Sequence, residues 1–267
     1  MDWHWLAATD ALPVANGIAI GVPLVAIAWW ESCRPERTPD QGTGQRWLAN
    51  FSLYAINTGV WLGLAPLIGA ATQPFAFKVS LLPEAPALRF LALLLAFDLA
   101  EYVLHRLLHR FGWLWRLHAV HHSDTDLDVS STVRHHPFEG LGVSFALVIT
   151  AGLLGAAPYE LAAYGVFGMA VQLLAHANLA IPPRISSVVG WLIVTPAFHR
   201  LHHCRDERFY NANFGEVFTI WDRLFGTLAA PSSAAPAPAE FGVTAYLAPR
   251  FSALGWILLQ PFLSRPA

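Results

Sequence analysis

The chain is short of charge. Asp, Glu, Lys and Arg make up 13% of its 267 residues, against about 25% in an ordinary soluble domain. Sixteen basic and 18 acidic residues cannot cover a sequence that is 55% hydrophobic, so the composition points to a multi-pass membrane protein. A net charge of −2 with Lys78 as the single lysine argues against nucleic-acid binding. Two cysteines, Cys33 and Cys204, exclude a disulfide scaffold, and neither lies in a Cys-x-x-Cys zinc pattern. No Gly-x-Gly-x-x-Gly fingerprint for a flavin or nicotinamide occurs, and the apolar excess excludes disorder for most of the chain. The first ten residues hold Asp2 and Asp10 and no basic residue, so no secretory leader is expected.

What is present is apolar sequence in five stretches, at 11–30, 48–72, 86–104, 140–157 and 159–178. The first two are long enough to span a bilayer. The third carries Asp98 and Glu101 near its end. The fourth and fifth are short and meet at Gly155–Pro158, so they make either two spans or a shallow hairpin. A sixth patch, 187–195, is too short to cross. The tail 251–263 is expected to lie on or against the membrane, and Pro231–Pro238 reads as a flexible linker. The expected fold is therefore all-α: a transmembrane bundle of about four to five segments. Three parts follow: N-terminal membrane helices over 1–85, a central domain over 86–228, and a linker and tail over 229–267.

Basic residues orient this bundle. Arg34, Arg37 and Arg46 follow the first stretch, whereas the loop after the second holds Lys78 alone. Arg106, Arg110, Arg116 and Arg134 follow the third, and Arg184, Arg200, Arg205, Arg208 and Arg223 follow the fifth. The positive-inside pattern then puts the N-terminus outside and the residues after the third and fifth stretches on the cytoplasmic face. Lys-poor, Ala- and Arg-rich usage favours a bacterial inner membrane. The eleven tryptophans read as interfacial anchors.

Eleven of the 12 histidines lie between His105 and His203; His4 is given no role. His105 and His109 form H-x-x-x-H. His118, His121 and His122 form H-x-x-H-H, as do His199, His202 and His203. His135 and His136 precede Pro137, and His176 closes the fifth stretch. Residues three or four apart share a helix face, so such pairs converge on a metal at little ordering cost. Adjacent histidines point about 100° apart on an ideal helix and therefore suit two neighbouring ions better than one. Asp98, Glu101, His105 and His109 fall at about 0°, −60°, −20° and +20°, a single stripe. Ionisable groups at such a depth are expensive and indicate function. The two carboxylates are expected to sit behind the imidazoles, orienting them and compensating metal charge.

Eight to ten imidazoles exceed the needs of one ion. A structural zinc site would normally use cysteine, whereas all-nitrogen sites suit Fe, Cu, Zn or Ni. Two irons share such a shell readily and can activate O2. A site at the membrane face, above apolar helices, would admit a long apolar substrate from the lipid. Oxidation of an unactivated C–H bond is the economical reading.

The motifs DLAEYVLHRLLH, LHAVHHS, VRHHPFEG, HANL, FHRLHH and NFGEVFTIWDRLFGT, in that order over about Phe97 to Thr227, resemble those of the fatty acid hydroxylase / sterol desaturase superfamily of integral-membrane di-iron oxygenases. The resemblance implies iron ligation by His105, His109, His118, His121, His122, His199, His202 and His203. It adds His136 and His176, which match histidines present in some members. His135 has no consistent counterpart and is placed behind the ligands, with Asn178, Asn213 and Asp222 as supports for the histidine helices. It also implies two iron ions, O2 as co-substrate, a membrane lipid substrate and a catalytic domain over 86–228. With no cofactor fingerprint or fused cytochrome domain, the two electrons must come from a separate reductase, ferredoxin or cytochrome. Hydroxylation is the favoured outcome. Desaturation is the alternative within the family, and a metal transporter the alternative outside it; a transporter should place its ligands mid-bilayer.

Overall fold

The computed structural model describes residues 11–39, 42–72, 82–229 and 240–263. The N-terminal ten residues with His4, Lys78, and the Pro231–Pro238 linker lie outside them. Among the described residues the chain is helical, and its β pairing is confined to isolated bridges.

Five long helices occupy the five apolar stretches: α1 (Ala11–Cys33), α2 (Thr43–Thr72), α3 (Pro86–Arg110), α5 (Pro137–Leu154) and α6 (Pro158–His176). At 1.5 Å per residue α5 is about 27 Å long, close to the hydrocarbon thickness of a bilayer, and α2 about 45 Å. By length and hydropathy, Thr43–Ala71 and Pro137–Leu154 suffice to cross a membrane, and the apolar part of α1, Ala19–Cys33, is shorter. Polar residues set α3 and α6 apart: Arg89, Asp98 and Glu101 in the one, Glu160 and Gln172 in the other.

Local chemistry sets the helix ends. Phe111 adopts an extended conformation that breaks the chain between α3 and α4 (Gly112–His122). Gly155 ends α5 in the left-handed region at φ 63°, which a residue with a Cβ adopts only under strain. Pro158 then opens α6 at its first turn, so a three-residue link, Gly155 to Ala157, joins the 18-residue α5 to the 19-residue α6. The expected start of the fourth stretch at residue 140 moves back to Pro137, because His136 caps the helix and proline fits its first turn.

α2 packs on α5, α3 on both α5 and α6, and α1 on α6. Their shared interior contains Leu93, Phe97, Tyr164, Val217 and Phe218, with the Phe97 and Tyr164 rings 5.1 Å apart. The last turns of α1, α3 and α6 meet the first turns of α2 and α5 at one pole. There Glu31 accepts from the Val129 and Asn178 amides, and Arg46 pairs with Asp124. The same pole carries α4, a 3-10 turn at Val129–Val133, α8 (Pro196–His202), α9 (Glu207–Tyr210) and α10 (Ile220–Leu224).

The 187–195 patch forms the end of α7 (Pro183–Val189) and a turn that exposes Trp191 and Leu192. The tail folds into short α11 (Leu254–Leu259) and 3-10 turns. Its Ile257 packs with Ala49, Leu53 and Val120, and the Gln260 side chain donates to the Ala119 carbonyl at 2.9 Å. The tail thus closes over α4 rather than lying free.

Candidate metal centre

Nine histidines from four helices gather into two groups. His105, His109, His118, His122 and His202 form the first, and His121, His176, His199 and His203 the second. Within each group the candidate ligand atoms lie within 4.8 Å of one another. The adjacent pairs divide between the groups: His122 and His202 face the first, His121 and His203 the second. Their rings stand nearly perpendicular, at 86° for His121–His122 and 89° for His202–His203. The groups abut through stacked His122 and His203, centroids 4.4 Å apart.

Hydrogen bonds on the far side of the rings fix the tautomers. His105 Nδ1 lies 3.0 Å from the Phe214 carbonyl and 2.7 Å from Glu216 Oε1. His118 Nδ1 lies 2.7 Å from Glu139 Oε1. His202 Nδ1 meets the Ala212 carbonyl at 2.8 Å, and His176 Nδ1 the Gln172 carbonyl at 2.9 Å. Such acceptors require the proton on Nδ1, which leaves Nε2 as a bare lone pair in the neutral ring. These Nε2 atoms nevertheless converge. His105 and His118 approach at 3.1 Å, and His122 and His202 also at 3.1 Å. In the second group His176 Nε2 is 3.1 Å from His121 Nε2 and 3.0 Å from His199 Nε2.

Burial favours the neutral form of most of these imidazoles. It pushes His121, His122, His199, His202 and His203 well below the ordinary histidine range, reinforced by the neighbouring rings. His118 is also lowered, first by burial, although Glu139 works the other way. Neutral imidazole is the form that binds a metal ion. Buried Nδ1 atoms of His121 and His199, and both nitrogens of His109, lack a protein hydrogen-bond partner.

The two carboxylates that reach the imidazoles are Glu139 and Glu216, not the expected Asp98 and Glu101. Asp98 lies two turns deeper on α3 and receives the Val217 amide at 2.8 Å, the Phe218 amide at 3.1 Å and Trp221 Nε1 at 2.7 Å. Glu101 accepts from the Tyr164 hydroxyl. Both therefore tie the closing segment and α6 to α3, because that depth faces packed helix rather than imidazole. Glu139 and Glu216 stand inside quoted motifs, and Glu139 lies four residues beyond His135. That spacing was the available signal for Glu139; nothing in the spacing marked Glu216.

His136 lies outside both groups. Its Nδ1 accepts from the Phe138 amide at 3.3 Å, and its Nε2 faces the Leu258 carbonyl at 3.3 Å; capping α5 turns the ring away. His135 shares Glu139 Oε1 at 2.9 Å and stacks on His121 at 4.3 Å, and with His118 and Glu139 it makes a third, smaller cluster. Burial disfavours its charged form, but Glu139 more than offsets this and raises its pKa.

Asp222 accepts from the Phe214 and Gly215 amides, both at 2.8 Å, and so shapes the loop whose carbonyl holds His105. Asn213, at φ 58°, donates to the Phe198 and Ala229 carbonyls at 3.1 and 3.0 Å and ties α8 to the end of the domain. Asn178 bonds the Arg37 backbone at 3.0 and 2.7 Å.

A buried ionic network, unforeseen from the sequence, anchors the loop after α4. Arg46 Nη1 meets Asp124 at 3.0 Å and its other nitrogen meets Asp128. Arg134 donates to the Val120 carbonyl, the Ser123 hydroxyl and Asn50 Oδ1, all at 2.9–3.0 Å. Burial alone would raise the Asp124 pKa, but Arg46 and Arg134 hold it below the usual range. The network fixes the end of α4, which carries His121 and His122.

Residues 90–227 match the family model named fatty acid hydroxylase. The chain belongs to the fatty acid hydroxylase family. All nine clustered histidines, with Glu139 and Glu216, fall within the matched region. Among curated members, an ornithine lipid hydroxylase of Rhizobium tropici is 35% identical over 161 residues, covering 60% of this chain and 46% of that protein. An alkylglycerol monooxygenase of Caenorhabditis elegans is 30% identical over 133 residues, covering 50% and 25%. A human cholesterol 25-hydroxylase is 32% identical over 163 residues, covering 58% of each. The matched part thus spans between a quarter and three-fifths of these relatives. No solved structure matches the chain.

Proposed function

We propose that this family member is a membrane-embedded lipid hydroxylase whose nine clustered histidines hold two iron ions. The facing imidazoles carry the reading. His105 and His118 each keep their proton on Nδ1 and present bare Nε2 lone pairs to each other at 3.1 Å. Two acceptors in that position repel unless a cation lies between them, and the all-nitrogen donor set suits iron.

Iron in such a shell supplies the reduction of O2 and the transfer of one of its oxygen atoms into a C–H bond, the other leaving as water with two electrons and two protons. The chain's own residues prepare that chemistry. Glu139 and Glu216 hold two imidazoles in one tautomer and place negative charge behind them. The carbonyls of Phe214, Ala212 and Gln172 do the same for His105, His202 and His176. Trp115 and Tyr210, stacked at 5.3 Å, lie against His109 and His122 and exclude water from that side. The curated relatives are named for hydroxylation of ornithine lipid, alkylglycerol and cholesterol, which supports a lipid substrate for this chain.

In this reading α1, α2, α3, α5 and α6 lie in the membrane, with the N-terminus outside and the histidine pole as a cap at the cytoplasmic face. Arg34, Arg37, Arg46, Arg106, Arg110 and Arg116 at that pole follow the positive-inside pattern. A bacterial inner membrane is the proposed location, and a separate redox protein the electron donor. The test is iron quantification in purified protein together with lipid mass spectrometry of cells with and without it. Two irons per chain and a lipid heavier by one oxygen atom are expected. A lipid lighter by two hydrogens would indicate desaturation instead, and metal flux without O2 consumption would reject an oxygenase.

A further inference from the structure

A cavity of about 510 Å³ opens beside the first histidine group and reaches His109. One wall is a single face of α3, where Val103, Arg106, Leu107 and Arg110 recur at helical spacing. Phe214 stands among the lining residues from the opposite segment. Both arginines are exposed, and among the described residues neither forms an ion pair. Arg46, Arg89, Arg205 and Arg208 by contrast all meet carboxylates. Arg106 lies over the Tyr102 ring at 5.9 Å, and that ring stacks on Phe225.

We infer that Arg106 and Arg110 receive the anionic headgroup, carboxylate or phosphate, of a lipid whose first carbons lie beside His109 and whose chain runs on along Leu107, Val103 and Phe214. The inference rests on the hydroxylase reading and names its substrate class. Two guanidinium groups one helical turn apart, without a protein anion, offer forked donors to an acidic oxygen pair. They stand where an apolar cavity meets the cytoplasmic rim, which is where the head of a membrane lipid lies. Arg110 adjoins His109 and Arg106 adjoins His105 in sequence. A head held there brings the first carbons of the chain, not its far methyl end, to the histidines. If these arginines served merely as topological charges or answered the α3 dipole, lysine would serve as well and the headgroup would be immaterial.

The experiment is equilibrium binding to the purified, metal-loaded full chain in phosphatidylcholine nanodiscs, with iron content measured in every sample. The probes are oleoyl-lysophosphatidate, oleate, monoolein and inorganic phosphate. Lysophosphatidate and oleate are expected to bind about ten-fold or more tighter than monoolein, with inorganic phosphate a weak competitor. The Arg106→Gln/Arg110→Gln variant should lose that preference at unchanged iron content, and the Arg106→Lys/Arg110→Lys variant should regain only part of it. Equal binding of monoolein, or a glutamine or lysine variant as selective as the parent, overturns the inference. Phosphate competing as well as the lipids do rejects a lipid head in favour of a free anion. Parent protein that takes up no iron refutes the hydroxylase reading, whereas iron-loaded parent protein that binds all the lipids alike refutes this inference alone.

Discussion

His105 and His118, one on each side of the α3–α4 break, point Nε2 at Nε2 across 3.1 Å, while Glu216 and Glu139 grip the opposite nitrogens, each at 2.7 Å. The arrangement is a carboxylate–imidazole pair facing its mirror. It concentrates electron density at one point, which a cation there would relieve.

Removing either carboxylate should loosen metal without dismantling the fold. Glu216→Gln and Glu139→Gln are expected to lower metal affinity by about 10- to 100-fold. Competition with a chelator of known affinity measures it. Affinity equal to the parent in both variants would reject their role.

The two groups should empty separately. His105→Ala is expected to cost the ion held by the first group and His199→Ala the ion held by the second, each lowering iron content by about half. His136→Ala should keep both ions, because that ring caps α5 and faces Leu258. Elemental analysis of the three variants decides; iron lost in His136→Ala would place this histidine in the centre.

Asp98 belongs to a different class of test. Its carboxylate accepts from three donors in the protein interior. Asp98→Asn sets an amide N–H among those donors and should destabilise by about 1–3 kcal/mol. A fall in Tm, read in detergent, with smaller change in metal affinity than for Glu216→Gln is the expected pattern.

The ionic network predicts a larger structural loss. Arg46→Met strips Asp124 and Asp128 of the guanidinium that pairs with both. Stranding a buried charge costs about 3–5 kcal/mol. The variant should yield little folded protein or a strongly lowered Tm, with iron loss following unfolding.

Acid should destabilise the metal-free protein. His121, His122, His199, His202 and His203 have folded pKa values well below 6.5, whereas the unfolded chain titrates near about 6.5. Between those values the unfolded state binds more protons, so stability rises with pH there. Stability should be full above about pH 7 and fall as pH drops through 6.5 and below. Tm measured from neutral to pH 5 on chelator-treated protein checks it; a flat profile would contradict the buried neutral rings.

Much of this was legible along the chain. The five apolar stretches became α1, α2, α3, α5 and α6, since helix formation over such runs needs only local periodicity and end signals such as Pro137, Gly155 and Pro158. The H-x-x-H-H spacing told that His121 and His122 would point in different directions, and they fall in different groups, because adjacent helical positions diverge by a fixed angle. His136 shows the limit: its neighbourhood in sequence resembles a ligand's, but capping decided its direction.

The sequence by itself determined the helices, the supply of imidazoles and the divergence of the adjacent pairs, all of which follow from composition and local backbone geometry. Tertiary structure alone decided which carboxylates stand behind the rings. Glu139 and Glu216 reach His118 and His105 across 21 and 111 residues of chain, and Asp98 turns instead to the Val217 and Phe218 amides. Such partners are chosen by which helix ends meet at the pole, and no spacing along a single helix encodes that meeting.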